Sequence, residues 1–279
     1  NHATVDANFV SITGVGFSDA GAVAVVDASA KTEATVLLAG QRFDAGAGDV
    51  TMTIGADNLV HASVDQGSGG GLNVNLLTTT ATLDALTRGY IAAGTAVSRG
   101  FSLVNTTTSL VEADVTLLSI AFASGSGLKA TAVQTGNADT IAEVAIGGGG
   151  LTASGTVVVS ADATNTVHSA LTTQGGSVIR GESTIVTSEG RSATRATFDG
   201  SVLDSTGATV SADADNTATA DLTKCGGSLA EVAHVQAGAQ LYAEAETAAR
   251  FGTGALVVRS GGDVLVSAEA RNTTNVTTD

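Results

Sequence analysis

Asn58, Asn165, Asn216 and Asn272 each close a stretch in which every second residue is apolar. Two positions before them stand Ala56, Ala163, Ala214 and Ala270, and four before stand Ile54, Ala161, Ala212 and Ala268. Six before come Met52, Val159, Val210 and Val266, and eight before come Val50, Val157, Ala208 and Val264. The intervening positions are mostly polar, with Thr53, Ser160, Ser211 and Ser267 in one set and Gly55, Asp162, Asp213 and Glu269 in the other. A period of two marks a strand with one buried face. The four segments are four copies of one strand.

The agreement continues beyond the anchor, because NTVHSALTTQGGS from Asn165 aligns without a gap on NTATADLTKCGGS from Asn216. The anchors are 107, 51 and 56 residues apart, so a degenerate copy is expected between Asn58 and Asn165. TEATV at 32–36 resembles VEADV at 111–115, and AEVA occurs at both 142 and 230. The whole of 1–279 therefore reads as one unit of diverged repeats of about 50 residues, with no separate domain.

Short alternating strands and glycine-rich corners, such as those at 147–150 and 124–127, predict an all-β chain folded as a parallel β-helix, or β-solenoid. With turns of about 18–28 residues, each repeat would make two or three turns. The chain would then form about 10–14 turns and a rod about 50–65 Å long. In such a stack the four asparagines would form a ladder of amide hydrogen bonds, the alternative being left-handed turns at strand ends. Residues 237–251 carry helix-favouring Ala, Glu and Gln, but the alternation of Leu241, Ala243, Ala245 and Thr247 predicts strand.

Composition fits a thin core: 35 glycines, seven phenylalanines, two tyrosines, and neither tryptophan nor proline. A formal charge of −15 argues against nucleic acid and anionic membrane as partners. No apolar run approaches a membrane span, and the opening Asn1 suggests a piece processed or excised from a longer precursor. Cys225 is the single cysteine, so no internal disulfide is available, and it is expected to be a buried small hydrophobe.

The segments GAVAVVDASAKTEATV (21–36), GDVTMTIGAD (48–57), GTVVVSADATNT (155–166) and GDVLVSAEARNT (262–273) resemble the repeat regions of large secreted bacterial β-solenoid proteins such as filamentous haemagglutinin-like adhesins. The resemblance implies an extracellular, secreted or cell-surface role as a stalk, adhesin segment or filament subunit. It supplies no catalytic residues.

The chemistry legible in the chain is sparse. No HExxH, CxxC, GxSxG, P-loop or calcium-binding nonapeptide signature occurs. Asp162, Asp213 and Glu269 form an outward acidic column, expected to be about 10 Å apart on turns two or more removed, which suits a solvated stripe better than a catalytic dyad. Asp213 and Asp215 share a face and make calcium a minor possibility, with no other cofactor expected. His61 and His168 hold the same repeat position but would be about four turns apart, too far to share a metal. Asn105, Asn272 and Asn275 begin glycosylation sequons.

The resulting expectation is a structural, non-enzymatic protein that associates end to end, with a cell-surface or carbohydrate receptor as a further partner. Polysaccharide cleavage, calcium binding and ice binding are the alternatives.

Overall fold

In a computed structural model, which describes residues 1–252 and 258–279, the chain is a parallel β-solenoid of two sheets with no helix among the described residues. One sheet stacks β1 (His2–Val26), β3 (Val50–Leu83), β5 (Phe101–Gln134), β8 (Thr156–Gly190), β11 (Gly207–Cys225) and β14 (Val264–Thr278), with β12 (Ser228–Leu241) also paired to β8. The other is built on β2 (Thr32–Asp44), β4 (Thr87–Ser98), β6 (Thr140–Ile146), β9 (Thr194–Asp199) and β13 (Thr247–Phe251). Two short strands, β7 (Leu151–Ala153) and β10 (Val202–Asp204), continue it sideways.

The coil is much larger than expected. Val50 pairs with Phe101, Phe101 with Val157, Val157 with Ala208, and Ala208 with Val264, so one coil consumes one whole repeat. Six stacked strands at the parallel spacing give a height of about 24 Å, not 50–65 Å. The outgoing layer, about 17 residues from Val50 to Gln66, is about 55 Å long, so the body is a slab wider than it is tall. The repeat period alone could not show this, because one large coil and two small ones give the same sequence period.

Each coil runs out, turns at a glycine-rich tip and returns. Gln66 Nε2 donates to Asn75 Oδ1 across the core (2.9 Å), and Ser169 Oγ donates to the Thr187 carbonyl (2.8 Å). Buried positions are even-numbered on the way out in β3 and odd-numbered on the way back, so the tip shifts the alternation by one. Gly175 and Gly226 stack at this tip with φ of 134° and 140°, and a Cβ on Gly175 would overlap the Ser119 carbonyl. That explains why the two GGS segments align.

The interior divides into two apolar compartments. Val60, Val111, Val167 and their neighbours pack against Leu77, Leu83 and Val186, while Ile54, Leu103 and Val159 pack against Ile91, Val144 and Phe198. Between them runs the asparagine row. Asn165 Nδ2 donates to Asn216 Oδ1 (2.8 Å), and Asn216 Nδ2 to Asn272 Oδ1 (3.0 Å). At the other end, Asn1 Nδ2 donates to Asn58 Oδ1 (2.9 Å) and Asn58 Nδ2 to Ser109 Oγ (3.4 Å). Ser109 is the anchor of the degenerate copy. No non-glycine residue has positive φ among the described residues, so the ladder, rather than a left-handed turn, accounts for these asparagines.

Several local expectations are corrected. TEATV lies in β2 and VEADV in β5, and the two AEVA segments lie in β6 and β12, so these matches are not register partners. Residues 237–251 are strand at both ends, but a turn at 243–245 interrupts them. Cys225 is exposed. Asn105 is fully buried and donates to the carbonyls of Thr87 (3.1 Å) and Ile141 (2.9 Å), so the folded chain does not present that sequon.

Candidate functional site: the outer face of the first sheet

The strand alternation that buries Asn165 and Ala163 points Asp162 and Thr164 outward, and stacking turns each outward position into a column. Asp162 pairs in register with Asp213, and Asp213 with Glu269. The three carboxylates are therefore on successive coils, about 4.8 Å apart along the stack, and the expected 10 Å spacing is corrected. Such crowding of like charge is relieved by Arg271, whose guanidinium lies 3.3 Å from Glu269, 3.8 Å from Asp213 and 3.9 Å from Asp215. Burial raises the Asp162 carboxyl above its ordinary range; hydrogen bonds from Ser160 Oγ oppose this and the Asp213 charge reinforces it.

A shallow groove of about 210 Å³ lies here, floored by Thr106, Thr108 and Thr164 and flanked by Asp162, Asp213 and Arg271. Arg271 occupies the position from which a cation would draw Asp213 and Asp215 together. Among the described residues no group of three or more His, Cys, Asp or Glu side chains is arranged to hold a metal ion.

Three columns along, the large coil brings together what the small-coil reading kept apart. His61, Glu112 and His168 share one column, so the two histidines are two coils apart rather than four turns. The adjacent outward column carries Asp6, Asp114 and Asp221. His61 Nε2 lies 3.4 Å from Asp6 Oδ1, and its Nδ1 lies 3.3 Å from Glu112 Oε2 and 3.9 Å from Asp114 Oδ2. His168 Nε2 lies 3.1 Å from Asp221 Oδ2. Imidazoles and carboxylates thus alternate along five successive strands, with a single charge set linking β1, β3, β5, β8 and β11. The shared position of His61 and His168 was visible in the sequence; their carboxylate partners were not, because naming them requires the coil size.

Asp114 is held above its ordinary carboxylate range by burial, against the pull of His168 and His61 and with added repulsion from Glu112. A raised folded-state pKa means that ionisation opposes folding. The stability contribution is complete at pH below the ordinary carboxylate range and is lost as pH rises through the raised value. Asp114→Asn is therefore expected to melt about 1–2 °C above the unsubstituted chain near pH 8, a modest shift because the side chain is one-third exposed. The advantage should vanish near pH 4, as checked by thermal denaturation across that range.

The fold and this face define a class: a parallel β-solenoid with one coil per repeat, its outer surface organised in axial columns of Thr, Ser and charged residues. No protein family matches the chain, and neither a curated protein nor a solved structure does.

Proposed function

We propose that the chain is a structural segment of an extracellular solenoid, a stalk or adhesin shaft or a filament subunit that extends by stacking end to end. The observation that carries this reading is the pair of open parallel edges. Among the described residues, β1 pairs on one side only, as do β14 and β12 at the opposite edge, while β3, β5, β8 and β11 are paired on both sides. A further coil, whether of the same chain or of a second copy, adds through the same in-register hydrogen bonds that join the coils within. The edge strands are long and rich in Val and Ala, and such edges associate unless they are covered. The resemblance of the repeat segments to secreted adhesin regions supports the extracellular setting, and the polar columns of the broad face offer a surface for a cell-surface or carbohydrate receptor.

Negative-stain electron microscopy over a concentration series tests this. Filaments with an axial repeat of about 29 Å per subunit, six strand spacings, are the expected result. Isolated slabs at every concentration would remove the self-stacking subunit and leave a shaft segment completed by its own chain. Irregular particles of no fixed width would overturn the structural reading.

A further inference from the structure

The tip of the coil carries a surface that the end-to-end reading does not use. Residues 9–18, 66–74, 117–128 and 173–179 make four successive turns there, and none of them is charged in a chain of net charge −15. Large apolar side chains point outward there instead: Val10 is 76% exposed, Ile12 81%, Ile120 64% and Phe122 64%. Leu118 joins Val10, Ile12 and Ile120 on the outgoing arm, while Val15, Leu72 and Ile179 carry exposed apolar side chains round onto the return arm; contiguous exposed apolar surface of this kind marks an interaction site.

The surface is corrugated. In register, Ile12 is followed by Gly69, Ile120 and Gly176, and Val10 by Gly67 and Leu118. Side-chain ridges on β1 and β5 therefore alternate with glycine furrows on β3 and β8. The β3 furrow is a groove of about 390 Å³ walled by Val10, Ile12, Leu118 and Ile120 over a floor that includes Gly67 and Gly69. Its walls are two coils apart, about 10 Å, which is the width of one row of aliphatic side chains between two others.

We propose that this tip is a side-to-side interface with a second copy of the same chain. A two-fold axis facing the tip between the β3 and β5 coils maps ridges onto furrows: each β5 ridge enters the partner's β3 furrow, and each β1 ridge meets the partner's β8 furrow. Such isologous pairing closes at two copies. Charge singles out the same partner. Two copies of so acidic a chain repel across their charged faces, and at the uncharged tip they can meet without burying a carboxylate.

Sedimentation velocity at about 1–100 μM distinguishes the possibilities. The smallest species of the unsubstituted chain should be a dimer rather than a monomer, with any axial stacking adding dimers to dimers. Ile120→Glu should weaken it by about 100-fold, because two carboxylates would be buried per interface. Gly69→Leu fills the furrow without adding charge and should weaken it by about 10-fold. Gly69 does not have positive φ, and a Cβ there lies at ordinary contact distance from the Ile120 carbonyl (3.7 Å), so the fold tolerates the change. Both variants should retain the parent circular dichroism.

A monomer throughout the range would overturn the interface, as would a dimer indifferent to both substitutions. Open-ended growth that survives both would leave axial stacking alone and remove the tip pairing. A monomer that floats with phosphatidylcholine vesicles, and ceases to do so as Ile120→Glu, would make the tip a lipid contact instead.

Discussion

Glu182→Ala is expected to cost about 3–5 kcal/mol of stability in urea denaturation, since it breaks a buried ion pair from one side. Glu182 is 1% exposed at its side chain, and its Oε2 lies 2.9 Å from Arg180 Nε and 3.4 Å from Lys224 Nζ. Its Oε1 accepts a hydrogen bond from Thr184 Oγ1 (2.9 Å). Lys224 has a second partner in Glu231, but Arg180, itself 6% exposed, would keep a guanidinium in the interior with its carboxylate gone. The loss comes from stranding that charge rather than from the worth of the pair. Replacing Arg180 and Glu182 together by methionine should accordingly recover most of the stability. Two coils earlier the positions of Arg180 and Glu182 are held by the neutral Asn73 and Asn75, which shows that the stack does not require ions there.

The second large effect falls on the ladder. In Asn165→Ala, Asn216 Oδ1 loses its donor and Gln134 Nε2 loses its acceptor, both bonds being 2.8 Å long between buried side chains. Two stranded polar groups at about 1–3 kcal/mol each put the loss at roughly 2–5 kcal/mol. Asn272→Ala is the internal control. It removes a rung at the open β14 edge, where Asn272 is exposed and water can replace the amide, so it should cost less than about 1 kcal/mol. Equal losses at Asn165 and Asn272 in the same denaturation experiment would contradict the ladder as the source of stability.

What the chain disclosed in advance follows the reach of local patterns. The all-β parallel stack, the asparagine row and the degenerate copy now seen at Ser109 were legible, because each shows as period-two alternation or as spacing between copies. Coil size was not. Glycine-rich segments can be corners or can lie inside strands: SGSG at 124–127 is part of β5, whereas 147–150 is a bend between β6 and β7. The Arg180–Glu182 pair was hidden for a related reason. The tip shifts the alternation, so that Ile179 faces solvent while Arg180 and Glu182 face the core, the reverse of what hydropathy suggests. The two-coil approach of His61 and His168 became visible only with the true register.

A coil that uses a whole repeat also governs how the chain can fold. Every lateral contact of a coil joins residues 51–57 positions apart, so no coil can form from local contacts alone. Closing a loop of that length costs about 3.5 kcal/mol, roughly 1 kcal/mol more than a 20-residue coil would require, and the cost recurs at each layer. The first closed coil is then the slow, entropy-limited event, and each later one is laid onto an existing template. Acquisition of structure should run as a vectorial, zipper-like propagation with slow kinetics set by nucleation, a regime in which a preformed edge acts as a seed.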